Sequence, residues 1–404
     1  MGSCCKKKRN PSKKSRKPPK TKTPHVIKWF EDMVDHAYDF AVAEKKKGKK
    51  IVGIMCEYTP REIIMAAGGI PVCLCGGSLE TITAAAETLP ANLCPLIKST
   101  FGYSMRKENP FLEMSDLLVA ETTCDGKKKM YELLSERHPM HVLELPQKCN
   151  DADAYEHWIR ELRKLIMKLE HLFSIDITDD KLRQAISLMN KERDLKRRLA
   201  FLMKSDSPPL SGVELLNMKS LISCMSEDFF QFERAVADLP GRKLSPPAEK
   251  RVRVLLTGVP LPHGAERVMQ IIEDSGGLVV CQENCTGLKP ILENVTENPS
   301  DPLIAIAQKY FHLPCSVMTK NKRRPEILNE LISDYKPDCV IELIWQACLT
   351  YDVESALIKR IADEKCGLPY LKIETDYAPS DSARITLRVK TLFEKIKNKV
   401  NEAR

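Results

Sequence analysis

The chain has 404 residues, of which 43% are hydrophobic, and its 63 Lys and Arg outnumber its 55 Asp and Glu, giving a formal charge of +8. This length leaves room for two or three domains, each with its own core. Ten of the basic residues and no acidic one lie within residues 1–24, so the rest of the chain carries 53 basic and 55 acidic residues. A body so close to neutral argues against nucleic-acid binding as the main task of the protein.

Hydropathy also excludes an integral membrane protein. No apolar run in the sequence approaches the roughly 18 to 20 residues that span a bilayer. No secretory apolar region follows the start either, so we expect a cytoplasmic protein without a membrane anchor.

The chain contains 15 cysteines, an odd and high number for such a protein. Disulfides are disfavoured in a reducing cytosol, so metal binding, catalysis or simple burial must account for these thiols. No CxxC pair occurs in the sequence, which removes zinc ribbons and thioredoxin-like sites as explanations. The cysteines lie far apart, so a site made from them would have to be assembled by the fold.

The first elements in chain order predict a basic tail followed by an α/β domain. Residues 1–24 are Pro-rich and basic, which is typical of a disordered tail. Residues 25–150 begin with one helix over residues 25–50 and then alternate strands with helices, and the predicted strands are "IVGIMC", "GIPVCLCG", "DLLVAETT" and "HVLELP". This alternation is typical of a parallel, doubly wound sheet.

The first crossover helix has a sequence pattern for its start. In "TPREIIMAAG" we expect Thr59 as the N-cap, Pro60 at the first helical position and Glu62 closing a capping box. The helix "KKKMYELLSER" follows the third strand and begins with three lysines, which we expect on a solvated face or on a surface where a partner docks.

The remaining chain divides into a helical segment and a second α/β domain. Residues 151–245 are predicted to be helical only, because "EHWIRELRKLIMKLEHLF" repeats its apolar residues at helical spacing. Residues 246–404 return to alternation, with strands "RVRVLLTG", "GLVVCQEN", "CVIELIW" and "PYLKIETD". The predicted fold class is therefore α/β, with two Rossmann-like, doubly wound parallel-sheet domains joined by a helical segment.

Several cysteines share a position in this predicted topology. Cys56, Cys124, Cys285 and Cys348 follow the carboxyl ends of predicted strands, which is where open α/β sheets bind ligands. Two more lie in loops beside a proline, in "LPANLCPLIKS" and "FHLPCSVM". We therefore expect one cleft between the domains to gather six thiols: Cys56, Cys94, Cys124, Cys285, Cys315 and Cys348.

The other cysteines are best explained as small buried hydrophobic residues. Four of them, Cys73, Cys75, Cys281 and Cys339, are predicted to lie within strands. Thiolates without accompanying histidines favour an iron–sulfur cluster, with zinc as the second choice.

Six segments taken together resemble the 2-hydroxyacyl-CoA dehydratase and benzoyl-CoA reductase superfamily: "CEYTPREIIMAAGGIPV", "LPANLCPLIKS", "ETTCDGKKKMYELL", "ENCTG", "CVIELIWQACLTYDVE" and "PYLKIETDYAPSDS". The resemblance covers nearly everything after residue 25. It implies two Rossmann-like domains, a helical part, and an oxygen-sensitive [4Fe-4S] cluster held by Cys94, Cys124 and Cys348.

Within the superfamily, "NLCPLIKS" and "TTCDGKKKMYELL" are most similar to the double-cubane-cluster anaerobic reductases. This resemblance implies a homodimer with an [8Fe-9S] cluster, for which Cys56, Cys285 and Cys315 would supply the additional ligands. It also implies a separate ATP-hydrolysing [4Fe-4S] activator that donates low-potential electrons, and a small-molecule substrate. The sequence contains no GxxxxGK[ST] phosphate-binding loop of its own, which agrees with an ATPase on another chain.

Other interpretations remain open on the sequence alone. The chain could be a subunit of a [4Fe-4S] 2-hydroxyacyl-CoA dehydratase, which is a lyase with a heterodimeric partner. A nucleic-acid-associated protein that uses the basic tail and a structural zinc protein are further alternatives. Asp125 and Glu283 are candidate proton donors near the cluster, although a turn-capping aspartate and a solvated glutamate are the simpler explanations.

Overall fold

The computed structural model describes residues 24–402. The predicted disordered tail, apart from Pro24, lies outside the described residues. Two helices replace the single helix predicted over residues 25–50: α1 (His25–Glu31) and α2 (Met33–Lys46). They meet at Asp32, whose backbone dihedrals of −93° and 16° leave the helical range.

The first sheet has four parallel strands in the order β2–β1–β3–β4. Its strands are β1 (Ile51–Ile54), β2 (Ile70–Cys73), β3 (Leu117–Glu121) and β4 (Met140–Leu143). Every residue of β1 and β3 is buried, as expected for central strands of a parallel sheet that is covered on both faces. The helices between these strands are α3 (Arg61–Ala66), α4 (Leu79–Ala85), α5 (Pro95–Arg106), α6 (Pro110–Glu113) and α7 (Asp125–Ser135).

The predicted start of the first crossover helix was wrong. Helix α3 begins at Arg61 with Pro60 as its N-cap and without a capping side chain. The hydroxyl of Thr59 instead donates a hydrogen bond to the carboxyl of Glu121. Glu62 is fully buried and forms an ion pair with Arg193, so a tertiary partner takes the carboxylate that the capping box would have used.

The helical stretch that follows contains α8 (Ala152–Phe173), α9 (Asp179–Phe201), α10 (Gly212–Asn217) and α11 (Ser226–Asp238). Asp151 caps α8 by accepting a hydrogen bond from the backbone N–H of Ala154 at 3.0 Å. The apolar face of α8 packs on the first sheet: Trp158, Leu162 and Leu165 are buried in the same core as the strand residues of β1 and β3. The domain limits at residues 150 and 245 stay predictions.

The second sheet repeats the topology of the first, with four parallel strands in the order β6–β5–β7–β8. Its strands are β5 (Val252–Gly258), β6 (Gly277–Gln282), β7 (Cys339–Trp345) and β8 (Tyr370–Thr375). Its helices are α12 (Arg267–Asp274), α13 (Pro302–Phe311), α14 (Arg323–Tyr335), α15 (Leu349–Arg360) and α16 (Ser382–Glu402). The predicted α/β class with two Rossmann-like parallel sheets is confirmed.

The two sheets direct loops from their carboxyl ends toward each other. The loop after β2 and the loop after β5 are in contact, because a Cβ atom added to Gly77 would lie 2.0 Å from the backbone oxygen of His263. Tyr377, which follows β8, donates a hydrogen bond at 2.9 Å to the backbone oxygen of Gly76. The crevice that the sequence predicts is therefore closed by direct contacts between the two α/β units. Across residues 24–402, no helix has both the length and the apolar character needed to cross a membrane.

Candidate metal centre

The predicted thiols lie at the contact between the two α/β units, and three of them occupy the same position in a helix. Cys94, Cys124 and Cys348 are the N-cap residues of α5, α7 and α15. The sulfur of Cys124 accepts a hydrogen bond from the backbone N–H of Lys127 at 3.5 Å. Helix N-termini present unpaired N–H groups and a partial positive charge, so all three positions favour an anionic sulfur.

These three cysteines also interact with one another, and we call them the first trio. A hydrogen bond from Cys348 lowers the pKa of Cys94, although burial opposes this effect, and the backbone N–H groups of Leu96 and Ile97 lower it further. The same hydrogen bond, together with burial and the nearby sulfurs of Cys94 and Cys124, raises the pKa of Cys348 well above its usual value. Cys94 therefore ionises before Cys348.

Cys56, Cys285 and Cys315 form a second trio. Burial raises the pKa of Cys56 well above its usual value, and the sulfurs of Cys285 and Cys315 are close enough to raise it further. Burial likewise raises the pKa of Cys285 to about 12. The sulfur of Cys315 lies 4.0 Å from the hydroxyl of Tyr351. Thiols held together in this way ionise readily only if a cation joins them, because desolvation and mutual repulsion oppose their charge.

Each trio takes its members from both α/β units. In the first trio, Cys94 and Cys124 come from the first α/β unit and Cys348 comes from the second. In the second trio, Cys56 comes from the first unit, and Cys285 and Cys315 come from the second. Neither trio could have been recognised from sequence spacing, because the units must first come into contact.

Lys127 lies between the two trios and differs from the solvated lysine that we expected. Its ammonium group donates a hydrogen bond to the backbone oxygen of Met55 at 3.1 Å. Burial lowers its pKa, but neighbouring thiols, above all that of Cys56, more than offset this effect and raise the pKa well above its usual value. The chain thus places one permanent positive charge beside thiols of both trios, while Lys128 and Lys129 are exposed as expected.

A buried polar network supports the second trio. The ammonium group of Lys289 donates to the hydroxyl of Tyr351 at 2.9 Å and lies 3.4 Å from the carboxylate of Glu283. The guanidinium group of Arg324 lies 3.5 Å from the same carboxylate. Tyr351 lies beside Cys315, and Lys289 lies near Cys285. Both side chains can therefore donate hydrogen bonds to a cofactor that these thiols bind.

The two predicted proton donors have contrasting surroundings. Burial raises the pKa of Glu283, but Lys289 and Arg324 more than compensate, so the net pKa is lowered and the carboxyl is ionised at neutral pH. In that state Glu283 accepts hydrogen bonds, as it does from Thr257 at 2.5 Å, and its role as a proton donor remains a prediction. Asp125 has a side chain that is 96% exposed and pairs with Lys128 at 2.9 Å. Its role as a donor stays a prediction.

Sequence reasoning missed a second buried carboxyl group, that of Glu121 at the end of β3. Burial raises its pKa to about 8, although the hydrogen bond from Thr59 opposes the shift. The second carboxyl oxygen, Oε2, is buried and has no hydrogen-bond partner among the described residues. Other missed residues follow a predicted ligand by three or four positions: Lys127 after Cys124, Tyr351 after Cys348 and Lys289 after Cys285. Helical spacing could have found Lys127 and Tyr351, which lie in the first turns of α7 and α15, whereas Lys289 lies in a turn.

Three of the four cysteines assigned to strand interiors differ in their surroundings. Cys281 and Cys339 are fully buried within β6 and β7, in accordance with a packing role. Cys75 was wrongly placed in a strand, since β2 ends at Cys73 and Cys75 is exposed in the loop beyond it. The strand stops early because its neighbour β1 ends at Ile54, which is the partner of Cys73.

The donor set can be compared with the cofactor that the resemblance implies. Among residues 24–402, no three His, Cys, Asp or Glu side chains are grouped closely enough to hold a single metal ion. An iron–sulfur cluster distributes its thiolate ligands over several irons, so the sulfurs stand further apart than around one ion. Two groups of thiols, three helix N-termini and a buried ammonium group fit an anionic cluster of this kind.

Comparisons with known proteins identify the family of this chain. The family described as "2-hydroxyglutaryl-CoA dehydratase, D-component" matches residues 56–396. The "Putative dehydratase subunit YjiM" of Escherichia coli K12 is 38% identical over 384 residues, which cover 93% of this chain and 98% of that protein. The (R)-phenyllactyl-CoA dehydratase beta subunit of Clostridium sporogenes is 23% identical over 354 residues, which cover 86% of this chain and 92% of that protein.

A relative from a different reaction class shares the same likeness. One of the subunits of the benzoyl-CoA reductase of Thauera aromatica is 26% identical over 311 residues, which cover 74% of this chain and 77% of that protein. Dehydratases and reductases thus both occur among the relatives. With a family match over most of its length, two parallel sheets and cysteines at their facing ends, the chain belongs to the 2-hydroxyglutaryl-CoA dehydratase D-component family.

Proposed function

We propose that the protein is an anaerobic reductase that holds an [8Fe-9S] double-cubane cluster through the thiols of both trios. The observation that supports this proposal most strongly is the presence of the second trio beside the first. Three thiols are enough for a single cubane of the dehydratase type, whereas six provide three ligands for each of two cubanes. When bound, such a cluster would store low-potential electrons and pass them to a small substrate.

The residues around the trios have distinct roles in this proposal. The N-termini of α5, α7 and α15 direct N–H groups at the thiolates of the first trio, which tempers their negative charge. Lys127 offsets part of the charge shared by the two trios. Lys289 and Tyr351 supply hydrogen-bond donors beside the second trio, and Glu283, which also pairs with Arg324, holds Lys289 in place.

The proposal also includes partners that no contact in the structure displays. The electron donor is a separate ATP-hydrolysing [4Fe-4S] activator, and the protein itself acts as a homodimer. An apolar surface next to the first trio supports the dimer: Leu349 and Val353 are 71% and 76% exposed on the first turns of α15. Exposed apolar side chains one helical turn apart are typical of an interface. The thirteen free cysteines of residues 24–402 suit a reducing, cytoplasmic location.

A second candidate function is that of a subunit in a [4Fe-4S] 2-hydroxyacyl-CoA dehydratase. The similarity to named dehydratase subunits favours it, and the first trio alone could hold one cubane. In that case the second trio would have no ligand role.

Iron and sulfide counts on protein purified without oxygen separate the two functions. We expect about eight irons per chain, with electron paramagnetic resonance signals of a coupled cluster, whereas a dehydratase subunit would hold about four. Cys124→Ala and Cys285→Ala should each lower the iron content, because they remove a ligand from different trios. Cys366→Ala is the matched control, since this thiol lies near Asn329 and away from both trios. Unchanged iron in Cys285→Ala would rule out the double cubane.

A further inference from the structure

A cavity of about 190 Å³ lies beside Cys285, where helices α9 and α10 meet the two α/β units. Its wall has a polar part and an apolar part. The polar part carries Glu57, Arg61, Lys196, Lys219 and Cys285, and the apolar part carries Ala200, Leu215, Val280, Leu288 and Tyr335. Cys285 of the second trio and residues of the second α/β unit therefore line the same cavity.

The charges of the polar part are not fully paired. Arg61 pairs with Glu57 at 2.8 Å, and Lys196 pairs with Glu192 at 2.5 Å. Lys219 contacts only the backbone oxygen of Leu261, at 3.4 Å, and within the described part of the chain it forms no ion pair. Burial lowers its pKa, as expected for an ammonium group without a close anion.

A second donor in the polar part also lacks an acceptor. The Nε atom of Arg61 is buried and has no hydrogen-bond partner among residues 24–402. Buried donors are nearly always paired, so such a group is informative. Two cationic side chains that line one cavity with unused donors indicate an anionic occupant.

The apolar part and the size of the cavity limit what that anion can be. Ala200, Leu288 and Tyr335 belong to the apolar core beneath the second sheet, so this end accommodates hydrocarbon rather than charge. Pockets for drug-sized ligands measure roughly 300 to 1,000 Å³, and this cavity is smaller. It cannot enclose a whole coenzyme A thioester.

We propose that this cavity binds a free carboxylate with a short apolar chain, with its carboxylate on Lys219 and Arg61 and its chain directed toward Tyr335. This inference rests on the proposed function, for which it names the substrate class. Cys285 lines the same cavity, so an acid bound there would share its cavity with one thiol of the second trio. A free acid, rather than a thioester, would distinguish this protein from relatives whose names include coenzyme A.

Calorimetric titration of the full-length, iron-loaded protein without oxygen tests the inference. The probes are 2-hexenoate, its uncharged amide 2-hexenamide, and the shorter acid crotonate. We expect the amide to bind at least about tenfold more weakly than hexenoate, because a charge-assisted hydrogen bond is lost. Crotonate should also bind more weakly than hexenoate, because it buries fewer methylene groups.

Two variants localise the binding site. Lys219→Gln should weaken hexenoate binding by about tenfold or more, whereas the exposed Lys250→Gln should leave it unchanged. Leu215→Trp should remove the advantage of hexenoate over crotonate by filling the apolar end. Two results would overturn the carboxylate site. One is equal binding of hexenoate and hexenamide by the unaltered protein, a measurement that does not depend on the folding of any variant. The other is unchanged affinity for hexenoate in Lys219→Gln.

Iron content measured on the same preparations separates this inference from the proposed function. A protein that holds about eight irons but does not bind hexenoate refutes the carboxylate site alone. A protein that binds hexenoate through Lys219 but holds about four irons refutes the double cubane and leaves the carboxylate site standing.

Discussion

Arg193 holds three parts of the molecule together, and its removal gives a prediction that does not depend on any cofactor. This residue of α9 lies 2.5 Å from the carboxylate of Glu62 on α3 and donates to the hydroxyl of Tyr310 on α13 at 3.1 Å. Tyr310 in turn donates to Glu62 at 2.8 Å. The side chains of Arg193 and Glu62 are only 4% and 0% exposed.

Arg193→Met should destabilise the protein by about 3 to 5 kcal/mol at pH 7, because it leaves the carboxylate of Glu62 buried without its cation. The double variant Glu62→Gln/Arg193→Met should recover much of this loss, since it removes both charges and preserves most of the volume. The magnitude follows from full burial; an exposed pair would contribute no more than about 1 kcal/mol.

The loss should depend on pH in a defined direction. Burial raises the pKa of Glu62, but Arg193 more than compensates, so the pKa of this carboxyl is lowered in the folded protein. Its stabilising contribution is therefore present above the unfolded pKa of about 4.3 and is lost as the pH falls through the lowered folded value. In Arg193→Met only the hydrogen bonds from Tyr310 and the backbone still oppose burial, which is the largest influence. We therefore expect the folded pKa of Glu62 to rise above the unfolded value and the destabilisation to shrink as the pH falls from 7 toward about 4.

Urea unfolding followed by circular dichroism at several pH values measures these differences. The unaltered protein and Glu62→Gln/Arg193→Met serve as references, and equal m-values among the variants support a comparison of free energies. A loss below about 1 kcal/mol in Arg193→Met, or a loss that does not change with pH, would contradict the buried ion pair.

Two further predictions concern the proposed cluster and the proposed dimer. Lys127→Met should lower the reduction potential of the bound cluster, because it removes a positive charge beside thiols of both trios. In a medium of effective dielectric constant near 20, a unit charge contributes about 2 kcal/mol at a separation of roughly 7 Å, which corresponds to a shift of roughly 100 mV. A redox titration monitored by electron paramagnetic resonance would detect this shift, and an unchanged potential would place Lys127 outside the field of the cluster. Leu349→Asp should convert the proposed dimer to a monomer in analytical ultracentrifugation. The control Leu387→Asp, at a position on α16 that is 68% exposed, should leave the dimer intact. A dimer that persists in Leu349→Asp would show that the interface does not include this part of α15.

Local sequence patterns were sufficient for the sheets but not for every helix start. The strands are short apolar runs between turns, and their alternation with helices leaves few other topologies. The capping box at Thr59 and Glu62 was wrong because it considered only neighbours in sequence. Arg193, which takes the Glu62 carboxylate, lies 131 positions away, and no local pattern reports such a partner.

The candidate site was likewise predictable only in part. Topology was enough to place Cys56, Cys124, Cys285 and Cys348 at strand ends, because parallel strands present their carboxyl ends at one edge. The division into two trios followed from the family resemblance and not from topology, since it depends on how the two units meet. Lys127 was expected in solvent because three lysines occur in succession, yet helical geometry turns it toward the sulfurs while its neighbours face outward.

The interleaved ligands of the two trios have a consequence for how the protein can move and be made. If a cluster occupies both trios, any hinge opening between the α/β units would pull on both halves of the cofactor at once, so small molecules must enter by local rearrangement of side chains. A chain cleaved between the units would leave each fragment with an incomplete set of ligands. Insertion of the cofactor would therefore be a late event, possible only after the whole polypeptide has been synthesised and its two units have docked.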